Sequence, residues 1–282
     1  MRFEKINSWA KINLSLNIIQ KLPNKYHRIE SLITFVQLFD EIKIRQIMDN
    51  ENKITFIGKF AKGIGKNNTI YKLLKLLDQK NIINNKKFEI IVKKNIPQKS
   101  GMGGGSMNAA SLLKYFVKKR IAKISNKKVH ELAYKIGYDV PLGLEKRNSI
   151  LFKNFNIKRL NNKINLHVLI VKPNISCDTE KIYKNVKKYL KSSYKMNSKS
   201  YFKTKNLAKS ANGLESVVFK KYPKIKNLKD FLLTLPKINF VRMTGSGSAI
   251  VAYFNSKKTV NNAVRIFRRK YKNYWYIISK TI

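Results

Sequence analysis

Four glycines, Gly101, Gly103, Gly104 and Gly105, fall between a segment that predicts a strand, Lys87–Lys93, and one that predicts an apolar helix, Met107–Val117. Glycines remove side chains, so the backbone there can approach a ligand closely. Exposed amides and the positive end of a helix dipole together make a cradle for an anion. The segment Pro97, Gln98, Lys99, Ser100, Gly101, Met102, Gly103, Gly104, Gly105, Ser106 and Met107 is therefore expected to hold phosphate. It lacks the G-x-x-x-x-G-K-[ST] of a P-loop. Ser106 stands where a dinucleotide fingerprint needs its last glycine.

The remaining elements follow from periodicity. Ile12, Leu14, Leu16 and Ile18 alternate with Asn13, Ser15 and Asn17, which predicts a half-buried strand over 10–18. Ile29–Leu38, Ile42–Ile47 and Lys53–Ile57 predict three more strands, after a polar turn at 22–28 with Pro23 and Asn24. Helices are expected at Thr69–Gln79, with Asn68 or Thr69 as cap, and at Asn126–Ile136, between Ser125 and Gly137. Beyond 160 the expected order is strand Leu166–Val171, helix Thr179–Leu190 and a mobile Lys/Ser/Asn-rich loop, Lys191–Ser200. Helices near Gly213–Lys221 and Leu228–Leu235 follow, then a strand pair, Phe240–Thr244 and Ala249–Phe254. Helix Thr259–Tyr271 and strand Tyr274–Ile278 complete the reading. Strands and helices mix without a βαβ rhythm, which favours α+β in two lobes with a boundary near 154–162.

Composition narrows the function classes. With 43% hydrophobic residues the 282-residue chain can bury a core, and its longest apolar stretches are far too short to span a membrane. One cysteine, Cys177, makes no internal disulfide, and three histidines are too few for a zinc cluster. A protein of the cytoplasm is expected. The formal charge of +45 suggests nucleic acid at first sight. Yet the basic residues are scattered rather than blocked, and Lys, Asn and Ile dominate as an AT-rich genome would dictate. No dedicated nucleic-acid partner is expected, although a diffuse positive field draws in any polyanionic small substrate.

Pro97-x-x-x-Gly101-Met102-Gly103-Gly104-Gly105-Ser106 resembles the phosphate loop of the GHMP kinases. Met102 replaces the usual leucine, and Met107 a second serine or other small residue, which leaves Ser106 as the hydroxyl for phosphate or magnesium. Three further segments resemble the branch acting on a cytidine-diphosphate-linked methylerythritol. They are Ala10-Lys11-Ile12-Asn13-Leu14 followed by Tyr26-His27, then Gly137-Tyr138-Asp139-Val140-Pro141, then Met243-Thr244-Gly245-Ser246-Gly247-Ser248-Ala249. Asn212-Gly213-Leu214-Glu215 is similar to that branch's N-D-[LF]-E segment, with Gly213 in place of the acid; Lys25 replaces the glycine before Tyr26.

The resemblance implies a two-lobed GHMP kinase fold of class α+β. Its N-terminal lobe, 1–158, would resemble the ribosomal-protein-type α+β domain, and its C-terminal lobe, 159–282, an α/β plait. It also implies ATP and Mg²⁺, and transfer of phosphate to the 2-hydroxyl of the methylerythritol unit on the non-mevalonate route to isoprenoid precursors. Such transfer needs a base, cations near the moving phosphoryl group and a cradle for the other phosphates. Asp139, one of six aspartates, is the expected base. The family places Lys11 beside it, where an ammonium favours the ionised carboxyl and stabilises developing charge. Asn13 shares the strand face of Lys11 and is expected to bind the erythritol hydroxyls or the base. Tyr26 and Tyr183 are expected to stack on the cytosine, and His27 to contact its edge. Another GHMP small-molecule kinase, such as a homoserine kinase, and a basic RNA-binding protein built on the same lobe are the alternatives. A homodimer stays open.

Overall fold

Alternation at Ile12–Ile18 extends in both directions along the chain, and β1 covers Glu4–Lys21. The computed structural model describes residues 2–23, 26–195 and 199–282; Asn24 and Lys25, in the expected polar turn, and residues 196–198 of the expected loop lie outside them. After β1 come β2 (His27–Ile47), β3 (Lys53–Ile57), α1 (Thr69–Gln79), β4 (Lys87–Lys93), α2 (Gly104–Lys118) and α3 (Asn126–Ile136). A 3-10 turn at Pro141–Leu144 leads to β5 (Asn148–Leu151), β6 (Ile157–Leu160), β7 (His167–Lys172) and α4 (Thr179–Lys184). A second such turn, Lys199–Phe202, precedes α5 (Thr204–Lys209), α6 (Glu215–Lys221) and α7 (Pro223–Leu233). The order closes with β8 (Phe240–Met243), β9 (Ile250–Phe254), α8 (Lys257–Lys270) and β10 (Trp275–Lys280). The class is α+β.

The chain divides into two compact units, each drawn from three separate stretches. The first comprises Met1–Ala10, Leu38–Pro97 and Gly103–Lys146; the second comprises Lys11–Gln37, Gln98–Met102 and Arg147–Ile282.

In the first unit β3 runs parallel to β4, and β4 pairs antiparallel with Glu41–Ile47 of β2. Ile42, Ile44, Phe88, Ile90 and Val92 turn one face of this sheet onto Leu73 and Leu77 of α1 and Leu112 and Phe116 of α2. Phe88 and Phe116 meet with ring centroids 4.9 Å apart. Each such side chain removed from water contributes about 1.5–3 kcal/mol. The helices start where local chemistry dictates: the Asn68 side chain accepts from the amides of Ile70 and Tyr71, and Ser125 from Lys128.

In the second unit Ser31–Ile33 of β2 pair with β5, and β5 with β6. A separate antiparallel sheet has the order β10-β7-β9-β8. Its apolar face, Leu169, Val171, Ile250, Ala252 and Phe254, packs with Val218 of α6, Leu228 and Leu232 of α7 and Phe267 of α8, and with Leu16 and Ile18 of β1.

Four local differences from the periodicity have physical reasons. The two strands expected at 29–38 and 42–47 are one, because the carboxylate of Asp40 between them is buried and fully partnered rather than turned to water. Helix α2 begins at Gly104 rather than Met107: Gly103, left-handed at φ 68°, ends the loop and the glycines themselves form the first turn. The helix expected to reach Leu190 stops at Lys184, and Leu190 instead donates its amide to Ile18 of β1 at 2.8 Å. Strands β5 and β6, four residues each and rich in polar side chains, carry too little alternation to be read from sequence.

Candidate active site

In the second unit Lys11 occupies a stretch of β1 that is buried on both faces from Ala10 to Leu16, and only 3% of it is exposed. A buried ammonium is costly without acceptors. Its Nζ donates to Asn13 Oδ1 at 2.9 Å, a contact that the period of two makes possible by placing both side chains on one face. The Lys11 amide donates to the carbonyl of Met102 at 3.2 Å, joining β1 to the glycine segment.

Asn13 is the hub of this arrangement. Its Oδ1 also accepts from the Gly245 amide at 3.0 Å, its own amide donates to Thr244 Oγ1 at 3.1 Å, and its Nδ2 donates to Ser31 Oγ at 2.8 Å. The segment 99–101 lies against the late glycine turn. Ser248 and Ala249 donate their amides to the carbonyls of Lys99 and Ser100, and Thr244 Oγ1 donates to that of Gly101 at 3.1 Å. Gly101, at φ 76°, packs so closely here that no side chain fits. Asn212 holds the late turn from the other side, with Nδ2 2.8 Å from the carbonyls of both Met243 and Gly245. Glu215 accepts from the Met243 amide at 2.9 Å and from Lys229 Nζ at 2.6 Å. The Asn212–Glu215 segment is thus a clamp on the late glycines.

In the first unit the cradle is the start of α2. Met107 donates its amide to Gly103, so the amides of Gly104, Gly105 and Ser106 precede the first helical hydrogen bond and have no partner within the helix. Ser106 is partly exposed, whereas the Met107 side chain is buried against Gly143. Thr69 Oγ1 donates to the Gly105 carbonyl at 2.7 Å. Asp40 binds both ends of the loop: its carboxylate pairs with Lys94 Nζ and accepts from the amides of Asn95 and Ile96, and from Asn108 Nδ2 of α2 at 3.1 Å. Asp139 is partly exposed in the turn after α3, where Val140 donates to Gly137 at 3.0 Å and Pro141 opens the 3-10 turn.

Back in the second unit, His27 lies with its ring centroid 5.2 Å from Tyr183 and 6.2 Å from Tyr189, the latter nearly parallel at 16°. The ring is 9% exposed, and neither of its nitrogens has a hydrogen-bond partner among the described residues. Burial, followed by the charge of Lys21, pushes its pKa below the ordinary 6.5. A neutral imidazole has one donor and one acceptor, which suits the edge of a base. Tyr26 is half exposed and closes its turn by accepting from the Leu22 amide at 2.7 Å.

Sequence reasoning did not find Tyr189, Ser31 or Asp40. Tyr189 falls where a helix was expected, and a serine or aspartate within a strand carries no signal until its partners are known. Among the described residues no group of three or more His, Cys, Asp or Glu is placed to hold a metal ion. The donor set fits a magnesium ion that arrives with a nucleotide and keeps phosphate and water ligands, with Ser106 as the hydroxyl offered by the chain. An open cavity of about 340 Å³ in the first unit, lined by Asn50, Glu51, Tyr71, Asp78 and Lys87 among others, includes none of the expected site residues.

Residues 68–145 match the model of the GHMP kinases N terminal domain, and residues 199–273 that of the GHMP kinases C terminal. The chain is 50% identical to the 4-diphosphocytidyl-2-C-methyl-D-erythritol kinase of Pelagibacter ubique (strain HTCC1062), over 99% of both chains. It is 29% identical to the protein of that name from Clostridioides difficile (strain 630), over 99% of this chain and 96% of the relative. A crystal structure of 4-(cytidine 5'-diphospho)-2C-methyl-D-erythritol kinase matches with a TM-score of 0.77 at 22% identity, covering 98% of this chain and 99% of that one. A homoserine kinase from Cytophaga hutchinsonii matches with a TM-score of 0.71 at 15% identity, covering 100% and 95%; both likenesses concern the fold. With the glycine loop, the buried lysine on β1 and the late glycine turn in place, this chain belongs to the GHMP kinase family, in its 4-diphosphocytidyl-2-C-methyl-D-erythritol kinase branch.

Proposed function

We propose that the chain transfers the γ-phosphoryl group of ATP to the tertiary 2-hydroxyl of 4-diphosphocytidyl-2-C-methyl-D-erythritol, a step on the non-mevalonate route to isoprenoid precursors carried out in the cytoplasm. The observation that carries this reading is 50% identity to the Pelagibacter ubique relative along the whole length of both chains. The buried histidine, whose two ring nitrogens have no partner among the described residues, supports a base-bearing substrate.

In this reading Asp139 accepts the proton of the 2-hydroxyl as its oxygen attacks the γ-phosphorus. The new O–P bond forms, the bond to the bridging oxygen breaks, and ADP leaves with that electron pair. General-base assistance of this kind supplies typically ~10²–10⁴ in rate. Lys11, kept in place by Asn13, stabilises charge on the transferring group. Residues 97–107 embrace the nucleotide phosphates, with the amides of Gly104, Gly105 and Ser106 as donors at the helix start. Mg²⁺, when bound with ATP, neutralises phosphate charge, with the Ser106 hydroxyl as a ligand. His27 reads the cytosine edge, and Tyr26 and Tyr183 stack on the ring. We assign the phosphate loop and catalytic pair to an N-terminal lobe over 1–158, and the remainder to a C-terminal lobe over 159–282.

The test is ADP release by the purified protein supplied with Mg-ATP and 4-diphosphocytidyl-2-C-methyl-D-erythritol, beside homoserine as competitor substrate. Turnover restricted to the cytidine-bearing substrate supports the reading. No turnover with it, or undiminished turnover in Asp139→Ala, overturns it.

A further inference from the structure

An asparagine amide is nearly symmetric in shape, so what surrounds it must decide which end is oxygen and which is nitrogen. At Asn13 one end faces Lys11 Nζ at 2.9 Å and the Gly245 amide at 3.0 Å, two groups that can only donate. The other end faces Ser31 Oγ at 2.8 Å. A serine hydroxyl has a single proton, and that of Ser31 goes to the Ser15 carbonyl. Ser31 therefore meets Asn13 as an acceptor and requires the NH₂ group there. Turned round, the amide would set its NH₂ against an ammonium and an N–H, and would leave Ser31 facing an oxygen with its proton already committed.

We propose that Ser31 is a positioning residue: it fixes the orientation of the Asn13 amide and through it holds the Lys11 ammonium at its post. Ser31 is fully buried, so no solvent replaces it as acceptor for the amide. The second layer is ordered too. Ser15 Oγ accepts from the Leu32 amide at 3.0 Å and is hydrogen-bonded to the Tyr194 hydroxyl, which keeps the Ser15 main chain aligned for Ser31. Phosphoryl transfer enters this inference only as the use to which Lys11 is put, so the inference rests on the proposed function for its kinetic consequence but not for its geometry.

Two readouts separate the geometry from the reaction. In protein labelled with ¹⁵N at the side chains, Ser31→Ala should speed hydrogen exchange of the Asn13 NH₂ group by at least about tenfold and broaden or shift the Lys11 Nζ signal. Ser31→Thr, which keeps the hydroxyl, should leave both near wild type. Under saturating Mg-ATP and 4-diphosphocytidyl-2-C-methyl-D-erythritol, S31A should lower kcat by about tenfold, the effect of one lost hydrogen bond, with the KM for ATP little changed and S31T restoring the rate. Should S31A fail to fold, S31C is read in the same way, since sulfur is a weak acceptor. Unaltered Asn13 and Lys11 signals overturn the inference, as does a released amide with kcat unchanged. An inactive wild type with the expected spectra sinks the proposed reaction and upholds the positioning role.

Discussion

A Cβ placed on Gly101 would fall 1.9 Å from the carbonyl oxygen of Thr244, a separation that no pair of unbonded atoms sustains. The obstacle is main chain on both sides, so neither partner can swing away. Gly101 also sits at φ 76°, where side chains are disfavoured.

Gly101→Ala is expected to force the glycine segment off the late turn, with a loss of about 2 kcal/mol or more in urea unfolding and a rise of at least about tenfold in the KM for ATP. Gly65→Ala is the control: a Cβ there meets nothing within 4 Å, and the change should stay within about 0.5 kcal/mol.

Asp139→Asn keeps the shape of the side chain and removes its capacity to take a proton. Rapid-quench measurement of a single turnover should show phosphoryl transfer slowed ~10²–10⁴-fold, with nucleotide affinity nearly unaltered. An equal loss in binding would assign the residue to substrate contact instead.

Asp40 is fully buried and paired with Lys94, itself 5% exposed. Removing one member of such a pair strands the other charge and typically costs about 3–5 kcal/mol. Asp40→Ala should therefore lower stability by that order and loosen the start of α2, seen as lost amide protection at Met107–Ala110, because Asn108 and the amides of Asn95 and Ile96 lose their acceptor together.

His27 gives a dependence on pH. Burial and Lys21 lower its pKa in the folded chain below 6.5, so between the two values the unfolded chain binds the extra proton. The stability linked to it is present in full above about pH 6.5 and is lost as pH falls through the folded value. His167 shifts in the same direction, chiefly through burial, so the measurement is the difference between wild type and His27→Gln. That difference should shrink on acidification from pH 7.5 to 5, while the KM for the cytidine substrate of the wild type rises.

Glu30 is fully buried and accepts from Ser192 Oγ and from the Ser193 amide at 3.0 Å. Together with Leu190 on Ile18 and Tyr194 on Ser15, it ties the described part of the stretch expected to be mobile onto β1 and β2. Glu30→Ala should release it. Trypsin cleavage after the exposed Lys187, Lys188, Lys191 or Lys195 should accelerate several-fold, followed by mass spectrometry of early fragments.

What could be read in the sequence had a local cause. Helix α1 has the bounds that its apolar spacing and the Asn68 cap predict, and α3 those set by Ser125 and Gly137. The glycine segment showed where a loop gives way to a helix, because the side-chain-free run stands directly before the apolar spacing of α2. That Asn13 shares a strand face with Lys11 was legible, but its hub role was not: its partners Ser31, Thr244 and Gly245 are up to 232 positions away, and no spacing rule reaches that far. Asp40 was invisible for the same reason. An aspartate between two apolar runs looks like a break until Lys94 and Asn108 fill the space around it. Tyr189 went unread because the chain leaves α4 early to bond with β1, a choice settled by a strand some 170 positions upstream.

The core of the second unit takes Leu16 and Ile18 from the opening strand and Val241 to Phe254 from far down the chain. A break in the polypeptide at residue 159 would therefore leave the earlier piece with the whole core of the first unit and would divide that of the second. The later piece would expose the surface that Leu16 and Ile18 cover, and would gain its shape only by capturing the earlier one. Co-expressed halves should copurify as a non-covalent pair, and the later half made alone should collect in inclusion bodies.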